Sequence, residues 1–294
     1  MKNILITGGS GFIGSTFIKT LKKNKNYRIF HPTSKKLNLT HIDSVTKFFK
    51  NNKVDYVIHT ANHHVHPRDS ESKDANLQLK NNLSMFFNLY FNSSHYTRLI
   101  NFGSGGEFPR KKWNKNIKEI DIGNFIPNDQ YGLSKMIISD FIKKIQSQKF
   151  VNLRLFGVFG EKDNWKYRFI PNMCAHAVLN KNLEIYNNAF FDFIYIDDVI
   201  NTTMKILNKK LKNFDYNLST GDGYELYQIA KKVLELNGNK NLKIKIKSKK
   251  IMVNYVGNNS RIKKEKLLCD LTPIEISIGN ILSYLKTIKN KIKL

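Results

Sequence analysis

Three glycines that follow a short apolar run near the start of the chain constrain its fold most. The run is Asn3–Thr7, and Gly8, Gly11 and Gly14 lead into 12–21, a segment with helical apolar spacing. Gly8 permits a tight turn, Gly11 lets the backbone approach a pyrophosphate, and Gly14 allows close helix–strand packing. A helix that begins there offers free N–H groups and its positive dipole end to phosphates. The pattern predicts a dinucleotide site in a βαβ unit.

Short strands alternate with helices through the first half of the chain. Apolar periodicity predicts strands at Tyr27–Phe30, Asp55–His59, Leu99–Phe102 and Asn152–Phe156, and helices at Asp43–Phe49, Leu77–Phe91 and Tyr131–Ile145. Helices of this length between strands imply βαβ units and a parallel sheet. The predicted fold class is α/β, a Rossmann-type doubly wound parallel sheet whose ligands bind beyond the carboxyl ends of its strands.

The second half of the chain does not continue the regular alternation of strands and helices. Helices are predicted at Phe169–Leu179, Asp197–Leu207, Glu225–Leu236 and Ile274–Ile288, and strands at Phe190–Ile196 and Lys243–Lys247. Asp197 and Asp198 are expected to cap the helix that they open. We therefore predict a dinucleotide-binding domain at 1–165 and a smaller α+β C-terminal substrate lobe at 166–294, with 190–210 packing back onto the first domain.

The charge of the chain is strongly positive, at +26. Of the basic residues 42 are lysine and only 7 arginine, beside 36 asparagines. Lysine and asparagine have A-rich codons, so an AT-rich genome accounts for this pattern. Arginine is the usual reader of phosphates and guanine edges, and it is scarce here. Nucleic acid is therefore not an expected partner.

The sequence also indicates where the protein resides. No apolar run reaches the roughly 18–20 residues that span a bilayer. Met1 leads straight into the first strand rather than into a signal peptide. Two cysteines, Cys174 and Cys269, are too few for a disulfide framework. We expect a cytoplasmic protein with no membrane partner.

A second chemical signal lies at the start of a predicted helix, where Tyr131 and Lys135 are four residues apart. This spacing places both side chains on one helical face. A nearby ammonium favours the phenolate and lowers a tyrosine pKa towards neutral pH, which makes Tyr131 a candidate acid/base. Ser104, upstream at the end of a predicted strand, completes a candidate site.

Taken together, six segments resemble one family, the extended short-chain dehydrogenase/reductases or NAD-dependent epimerase/dehydratase family. The segments are Thr7–Gly14, Asp55–Ala61, Phe102–Ser104, Tyr131 with Lys135, Leu153–Gly160 and Phe193–Val199. The resemblance implies nucleotide-activated sugars as substrates and Ser104, Tyr131 and Lys135 as the catalytic triad. Ser104 would hold the reacting oxygen, Tyr131 would shuttle the proton, and Lys135 would also hold the nicotinamide ribose. The implied cofactor contacts are Gly8, Ser10, Gly11, Phe12, Ile13, Thr60 and Ala61.

The segment after the second strand bears on the choice of cofactor. An NAD site usually carries an acidic residue there for the ribose hydroxyls, but His31–Lys36 has none. Ser34, Lys35 and Lys36 suit a 2′-phosphate instead. The next residues, 37–40, resemble the matching stretch in the GDP-fucose synthase and dTDP-4-dehydrorhamnose reductase members of the family. NADP is the predicted cofactor, and NAD stays open.

Departures from subfamily patterns narrow the predicted reaction. Gly105 and Gly106 stand where 4,6-dehydratases carry an Asp-Glu pair, with Glu107 one position further on. Gly106 and Arg168 stand where GDP-fucose synthase has its epimerising cysteine and histidine. With dehydration and 3,5-epimerisation disfavoured, the predicted reaction is the transfer of a hydride and a proton at one carbon. This fits reduction of a 4-keto nucleotide sugar or a C4 epimerase that retains NAD, and a non-catalytic dinucleotide-binding protein is the alternative outside this class.

Candidate substrate contacts are His63, Glu107, Arg168 and Arg261. His63 belongs to a cluster, Asn62–His66, that lacks the further ligands a metal needs. Arg168 and Arg261 are each suited to clamp a diphosphate, and a surface ion pair is an equally good account of either. No metal is predicted. The resemblance also suggests a homodimer through Leu77–Phe91 and Tyr131–Ile145, and leaves the oligomeric state open.

Overall fold

The computed structural model describes residues 1–65 and 73–294, and over the first half of the chain its elements follow the predicted order. The strands are β1 (Lys2–Thr7), β2 (Tyr27–Phe30), β3 (Tyr56–His59), β4 (Arg98–Ser104), β5 (Phe150–Leu155), β6 (Val158–Phe159), β7 (Leu183–Phe191), β8 (Ile194–Tyr195), β9 (Asp215–Leu218), β10 (Tyr224–Glu225) and β11 (Ile244–Tyr255). The α-helices are α1 (Phe12–Leu21), α2 (Ile42–Asn51), α3 (Gln78–Phe91), α4 (Gln130–Ile145), α5 (Phe169–Val178), α6 (Ile196–Leu207), α7 (Leu226–Asn237), α8 (Ser260–Lys264) and α9 (Ile274–Thr287).

The described residues form two compact units. Unit 1 comprises Met1–Lys112, Glu119–Leu155 and Thr203–Asn217, and unit 2 comprises Trp113–Lys118, Phe156–Thr202 and Leu218–Leu294. The chain thus leaves unit 1 after Leu155, ten residues before the boundary expected from the sequence. The segment that returns to unit 1 is Thr203–Asn217 rather than 190–210, because it carries most of β9 into the large sheet.

Unit 1 is built on a sheet with the strand order β2-β1-β3-β4-β5-β9. β1 pairs in parallel with both β2 and β3, β3 with β4, and β4 with β5. Buried apolar runs such as Ile4–Ile6 and Val57–Ile58 are typical of strands covered on both faces. The Rossmann-type α/β fold is confirmed. The strand order reverses between β1 and β3, and ligands bind at the carboxyl ends beside such a switch point.

The core of unit 1 lies between the sheet and its helices. Apolar side chains of α3 and α4 pack against those of the central strands, and the fully buried members include Leu5, Val57, Phe86, Leu99 and Ile142. Burial of each large apolar side chain contributes about 1.5–3 kcal/mol. This core packs α4 against the sheet that contains β4.

Unit 2 is a smaller α+β assembly, as predicted. Its sheet has the order β10-β7-β11, with β7 antiparallel to β10 and parallel to β11, and β6 pairs with β8 separately. The strand predicted at Phe190–Ile196 is divided between β7 and β8, with Asp192 at the break. The predicted strand at Lys243–Lys247 extends to Tyr255.

One predicted helix cap is wrong. Asp197 and Asp198 lie inside the first turn of α6 rather than before it. The Asp198 carboxylate accepts hydrogen bonds from the Thr272 backbone N–H at 2.9 Å and its hydroxyl at 2.7 Å. Asp198 therefore anchors the segment before α9. No helix in 1–65 or 73–294 is long and apolar enough to cross a membrane.

Candidate active site

The predicted glycine turn joins β1 to α1. Gly8 has a φ of +67°, and a Cβ there would lie 2.6 Å from the backbone of Ala61. A side chain is excluded on both counts. The Gly11 N–H donates to the Gly8 carbonyl at 3.0 Å, which closes the turn directly before α1.

The N-terminus of α1 fits a phosphate group. Gly11 caps the helix without a side-chain hydrogen bond, and its first turn carries no acidic residue. Ser10 and Gly11 are exposed, whereas Phe12 and Ile13 are half-buried. Because no side chain of the described residues caps these backbone N–H groups, they suit an anionic ligand. The residues present therefore fit the pyrophosphate of a dinucleotide.

The end of β3 supports this turn from the other side. The Thr60 hydroxyl donates to the Thr7 carbonyl at 2.5 Å, and the Ala61 N–H donates to the Thr7 hydroxyl at 3.2 Å. His59 Nδ1 lies 2.8 Å from the same hydroxyl. Burial, together with the Lys135 ammonium, lowers the pKa of His59 to about 3, so this histidine is neutral. Thr60 and Ala61 thus lie beside the glycine turn.

The end of β2 lies next to the same turn. A Cβ on Gly9 would be 3.4 Å from the Cβ of His31. Beyond His31 the chain makes a turn in which the Lys36 N–H donates to the Thr33 carbonyl at 2.9 Å. Ser34 and Lys35 are exposed on this turn. A hydroxyl and a cation are therefore available beside the phosphate-binding backbone.

Ser104 and Tyr131 lie on either side of Gly106. Ser104 ends β4, and its hydroxyl accepts a hydrogen bond from the Gly106 N–H at 3.1 Å. A Cβ on Gly106 would lie 3.3 Å from that hydroxyl and 3.6 Å from the Tyr131 ring. The structure thus brings together two of the three predicted catalytic residues, with a glycine that carries no side chain between them.

The third predicted catalytic residue, Lys135, lies on the same helix as Tyr131. Asp129 caps α4 by accepting from the Gly132 N–H at 2.7 Å, which fixes where the helix starts. Lys135 is buried, its Nζ donates to the Phe102 carbonyl at 2.8 Å, and it lies 5.8 Å from the centre of the Tyr131 ring. Burial lowers the pKa of Lys135 to about 8, and the charge of Glu107 opposes this shift. Lys135 is therefore mostly an ammonium at pH 7.

The prediction that Glu107 contacts a substrate is wrong for this structure. Its side chain is fully buried and lies 2.5 Å from Arg154 Nε through Oε2. Oε1 accepts a hydrogen bond from the Ser104 N–H at 2.9 Å. With both oxygens engaged inside unit 1, the carboxylate is unavailable to a ligand.

The sequence did not indicate that Arg154 lies beside the candidate site. It is fully buried, and one nitrogen lies 2.9 Å and 3.1 Å from the two carboxylate oxygens of Asp215. The same nitrogen donates to the Ser139 hydroxyl at 2.6 Å, and another donates to Asn217 Oδ1 at 2.9 Å. Ser139 is on α4, so Arg154 connects the helix of Tyr131 and Lys135 to the turn after Ser104.

The histidine segment after β3 lies near Tyr131. Asn82 Oδ1 accepts from the His63 N–H at 2.7 Å, and Asn82 Nδ2 donates to the Ser134 hydroxyl at 3.1 Å. The exposed His64 presents its ring edge-on to Tyr131, with 4.7 Å between ring centres. The sequence singled out His63, whereas the structure places His64 against the tyrosine. His66 lies outside the described residues.

The two candidate arginines belong to unit 2. Arg168 precedes α5, its side chain is 54% exposed, and its Nε lies 3.5 Å from Asp163. Arg261 is half-buried in the short helix α8. Arg168 thus forms an ion pair with the buried carboxylate of Asp163. Ser104, Tyr131, Lys135 and His63 all belong to unit 1.

A glycine turn at a Rossmann switch point, with a serine at a strand end and with a tyrosine and a buried lysine on one helix, defines an enzyme of the nicotinamide-dependent short-chain dehydrogenase/reductase class. The chain belongs to the NAD dependent epimerase/dehydratase family, whose profile matches residues 4–219. Enzymes of this family act on nucleotide sugars with an NAD(P) cofactor.

Relatives in this family have different reactions. The chain is 27% identical over 264 residues to the ADP-L-glycero-D-manno-heptose-6-epimerase of Brachyspira hyodysenteriae, covering 79% of this chain and 80% of the relative. It is 24% identical over 237 residues to the GDP-6-deoxy-D-talose 4-dehydrogenase of Aggregatibacter actinomycetemcomitans, covering 80% of each. The fold matches that of a GDP-mannoheptose C4 reductase from Campylobacter jejuni with NADP bound, with a TM-score of 0.81, 22% identity and coverage of 97% and 98%.

Proposed function

We propose that this protein is an NADP-dependent reductase of a 4-keto nucleotide sugar. One observation carries the proposal. Ser104 and Tyr131 flank a glycine, and the carboxylate of Glu107 is buried and held by Arg154. A dehydratase or a 3,5-epimerase needs a further acid/base beside the sugar ring, and positions 105 and 106 supply none. A single proton donor suffices for reduction at one carbon.

The proposed roles follow from this geometry. The reduced nicotinamide, when bound, supplies a hydride to the keto carbon. Ser104 donates a hydrogen bond to the keto oxygen as negative charge develops on it. Tyr131 gives its phenol proton to that oxygen, and the Lys135 ammonium favours the loss of this proton. Lys135 is also proposed to hold the nicotinamide ribose, in place of its present hydrogen bond to the Phe102 carbonyl.

The cofactor preference is proposed from the turn after β2. Ser34 and Lys35 are exposed there, and no acid lies in His31–Lys36. We expect NADPH to bind at least several-fold more tightly than NADH at low salt, with the gap shrinking as salt screens the phosphate. Fluorescence titration of both nucleotides against wild type and Lys35→Ala tests this. Tighter binding of NADH to the wild type would contradict it.

The reaction is tested with Tyr131→Phe, which removes the proton but keeps the ring. We expect NADPH to bind normally while turnover of 4-keto nucleotide sugars falls by about 10²–10⁴-fold. Lys135→Met should weaken both binding and turnover, and Ser104→Ala should lower mainly turnover. Tyr186→Phe, at an exposed tyrosine of unit 2, is the matched control. Wild-type turnover in Tyr131→Phe would show that the proton comes from elsewhere.

The same assay separates the alternatives. Interconversion of 4-epimers without net NADPH oxidation, by a protein purified with bound nicotinamide, would make the enzyme a C4 epimerase that retains NAD. The assay uses 4-keto nucleotide sugars whose base is guanine, thymine, uracil, cytosine or adenine. Cofactor binding without turnover of any of them would favour the non-catalytic alternative.

Substrate binding is proposed to involve His63, Arg168 and Arg261. Arginine clamps a diphosphate with two parallel hydrogen bonds, which lysine does not reproduce. Arg168→Lys and Arg261→Lys should therefore raise KM for the nucleotide sugar and leave NADPH affinity unchanged. Equal KM values in wild type and both variants would mean that neither arginine binds the diphosphate of the substrate.

A homodimer through α3 and α4 is also proposed. Phe87 and Tyr90 on α3 pack against Phe141 on α4, with ring centres 5.1 Å and 4.9 Å apart. Phe91, at the end of α3, is 69% exposed. Sedimentation of wild type and Phe91→Glu tests this, because a charge in an apolar interface should dissociate a dimer. A monomeric wild type would contradict the proposal.

A further inference from the structure

The hydrogen bonds of Glu107 identify its charge state. Oε1 accepts from the Ser104 backbone N–H at 2.9 Å, and Oε2 lies 2.5 Å from Arg154 Nε. Both donors are N–H groups and one of them belongs to a guanidinium cation, an arrangement that favours the ionised carboxylate. Burial raises the pKa of Glu107, and the charge of Arg154 opposes that shift. The carboxylate is thus a buried anion tied to a buried guanidinium.

Glu107 holds Ser104 in position through the backbone. The residues form a capping box in which Glu107 accepts from the Ser104 N–H and the Ser104 hydroxyl accepts from the Gly106 N–H at 3.1 Å. The backbone and the hydroxyl of Ser104 are therefore both restrained by the same short turn. Loss of the Glu107 acceptor would release the backbone end of this restraint.

Arg154 in turn fixes Glu107. The arginine is held by Asp215 on β9, by Ser139 on α4 and by Asn217 at 2.6–3.1 Å. Asn152 Nδ2 also donates to the Asp215 carboxylate, at 3.0 Å. Because these partners lie on separate elements of the core, the position of Glu107 is set by the packed unit rather than by its own turn.

Glu107 also lies close to Lys135, because its Oε1 borders Gly103 and the Lys135 Nζ donates to the carbonyl of the preceding residue, Phe102, at 2.8 Å. Three titratable groups face this lysine: His59 from β3, Tyr131 from its own helix, and Glu107 from the turn after β4. His59 is neutral, so the Glu107 carboxylate is the anion among these three that stabilises the ammonium. Asp215 belongs to the same ionic network but acts on Arg154 and Glu107.

We propose that Glu107 is a positioning residue for the reaction: clamped by Arg154, its carboxylate holds the backbone of Ser104 and presents a negative charge to the Lys135 ammonium. Its effect on turnover rests on the proposed function. Its effect on Lys135 does not, because that effect is a property of the protein without substrate. Glu107 touches neither substrate nor cofactor and works through the two residues that do.

The electrostatic part is tested by NMR on protein labelled with ¹³C at the lysine ε carbons. The Lys135 signal is identified by its absence in Lys135→Met. Glu107→Gln removes the charge and should move the Lys135 titration midpoint to lower pH by more than about 0.5 unit. Asp140→Asn is the matched control, because it removes a carboxylate from the helix that carries Lys135, one that is paired with Lys144 rather than with Arg154, and it should move the midpoint by less than about 0.2 unit.

The positioning part is tested with Glu107→Asp, which keeps the charge but withdraws the oxygens by one methylene. Displacement of a reacting group by about 1 Å lowers rates up to about 100-fold. We therefore expect turnover with NADPH and a 4-keto nucleotide sugar to fall by about 10–100-fold, with NADPH affinity within about threefold of wild type. Turnover of Asp140→Asn, whose carboxylate lies outside the Arg154 network, should stay within about threefold of wild type.

Two results would overturn the proposal: a Lys135 midpoint unmoved in Glu107→Gln, or wild-type turnover in Glu107→Asp. If Glu107→Gln does not yield folded protein, Glu107→Asp decides alone. A wild-type protein without keto-sugar reduction would end the proposed function. The Lys135 titration would still decide the electrostatic role of Glu107.

Discussion

The two units bury their carboxylates in different ways. In unit 1, Glu107 and Asp215 are both paired with Arg154, and all three side chains are at most 2% exposed. In unit 2, Asp192 is equally buried but is surrounded by neutral donors. It accepts from the Thr220 N–H at 2.9 Å, the Thr220 hydroxyl at 2.7 Å and the Gly221 N–H at 3.1 Å.

The two units thus offset the free-energy cost of burying a charged carboxylate in two different ways. A guanidinium neutralises the carboxylates of unit 1 directly and stays charged at any physiological pH. Backbone N–H groups and a hydroxyl stabilise the ionised Asp192 less, so burial raises its pKa to about 7. Mutations in the network of unit 1 should therefore change the free energy of unfolding strongly. In unit 2, the contribution of Asp192 to this free energy should depend on pH.

The largest effect is expected when the pairing in unit 1 is broken. Arg154→Met leaves two buried carboxylates without their cation, which should lower the free energy of unfolding by about 3–5 kcal/mol. Arg98→Met is the matched control, because Arg98 is also buried but donates to carbonyl groups such as that of Ile206 at 2.6 Å. Urea unfolding at pH 7 measures both. Equal losses of unfolding free energy in the two variants would mean that pairing with carboxylates does not make Arg154 more important for stability than Arg98.

The next effect concerns Asp192 and pH. Its folded pKa lies above its unfolded value of 3.8, so its contribution to stability is full below pH 4 and is lost as pH rises towards 7. Between pH 5 and pH 8 this loss is on the order of 2–3 kcal/mol. Asp192→Asn should remove that part of the pH dependence in urea unfolding. An unchanged slope in the variant would show that Asp192 is ionised throughout this range.

His59 in unit 1 should give a smaller effect of opposite sign. Its folded pKa is lowered from 6.5 to about 3, so its contribution is present above pH 6.5 and is lost as pH falls. Between pH 7 and pH 5 the loss is about 2 kcal/mol. In His59→Asn, unfolding free energies at the two pH values should lie closer together than in wild type. If the difference in unfolding free energy between pH 7 and pH 5 is the same in His59→Asn as in wild type, His59 is not the source of that difference.

The smallest effects are expected for the exposed ion pairs that both units carry. Asp140 and Lys144 in unit 1 are 2.7 Å apart, and Lys231 and Glu235 in unit 2 are 3.9 Å apart, each at i,i+4 on a helix. Lys144→Met and Lys231→Met should each change stability by less than about 0.5 kcal/mol. A larger loss in either would mean that surface charge, and not only the buried groups, distinguishes the units.

The features that could be predicted from the sequence are those encoded by local spacing. The glycine turn at Gly8–Gly14 and the Tyr131/Lys135 pair each lie within one turn or one helix, so periodicity and residue type suffice. Long-range partners have no such signal. Arg154 binds Glu107 and Asp215, which are 47 and 61 residues away in the chain, and nothing near Glu107 indicates that it is buried.

The missed strand β9 has a related cause. Its four residues, Asp215–Leu218, are all buried, yet two of them are polar because they bind Arg154. Hydrophobic periodicity identifies a strand only when its buried side chains are apolar. A polar network inside a sheet therefore hides both the strand and the site residues that depend on it.

Gly103 has a consequence for how this sequence can change over time. A Cβ at this position would lie 2.3 Å from Glu107 Oε1 and 2.8 Å from Asn152 Nδ2. Only a hydrogen atom fits there while the long carboxylate side chain is present. Homologues with a glutamate at the position of Glu107 should therefore keep glycine at the position of Gly103, and alanine or serine should occur there only with a shorter residue in place of the glutamate. The two positions should covary across an alignment even though their residues carry no shared chemistry.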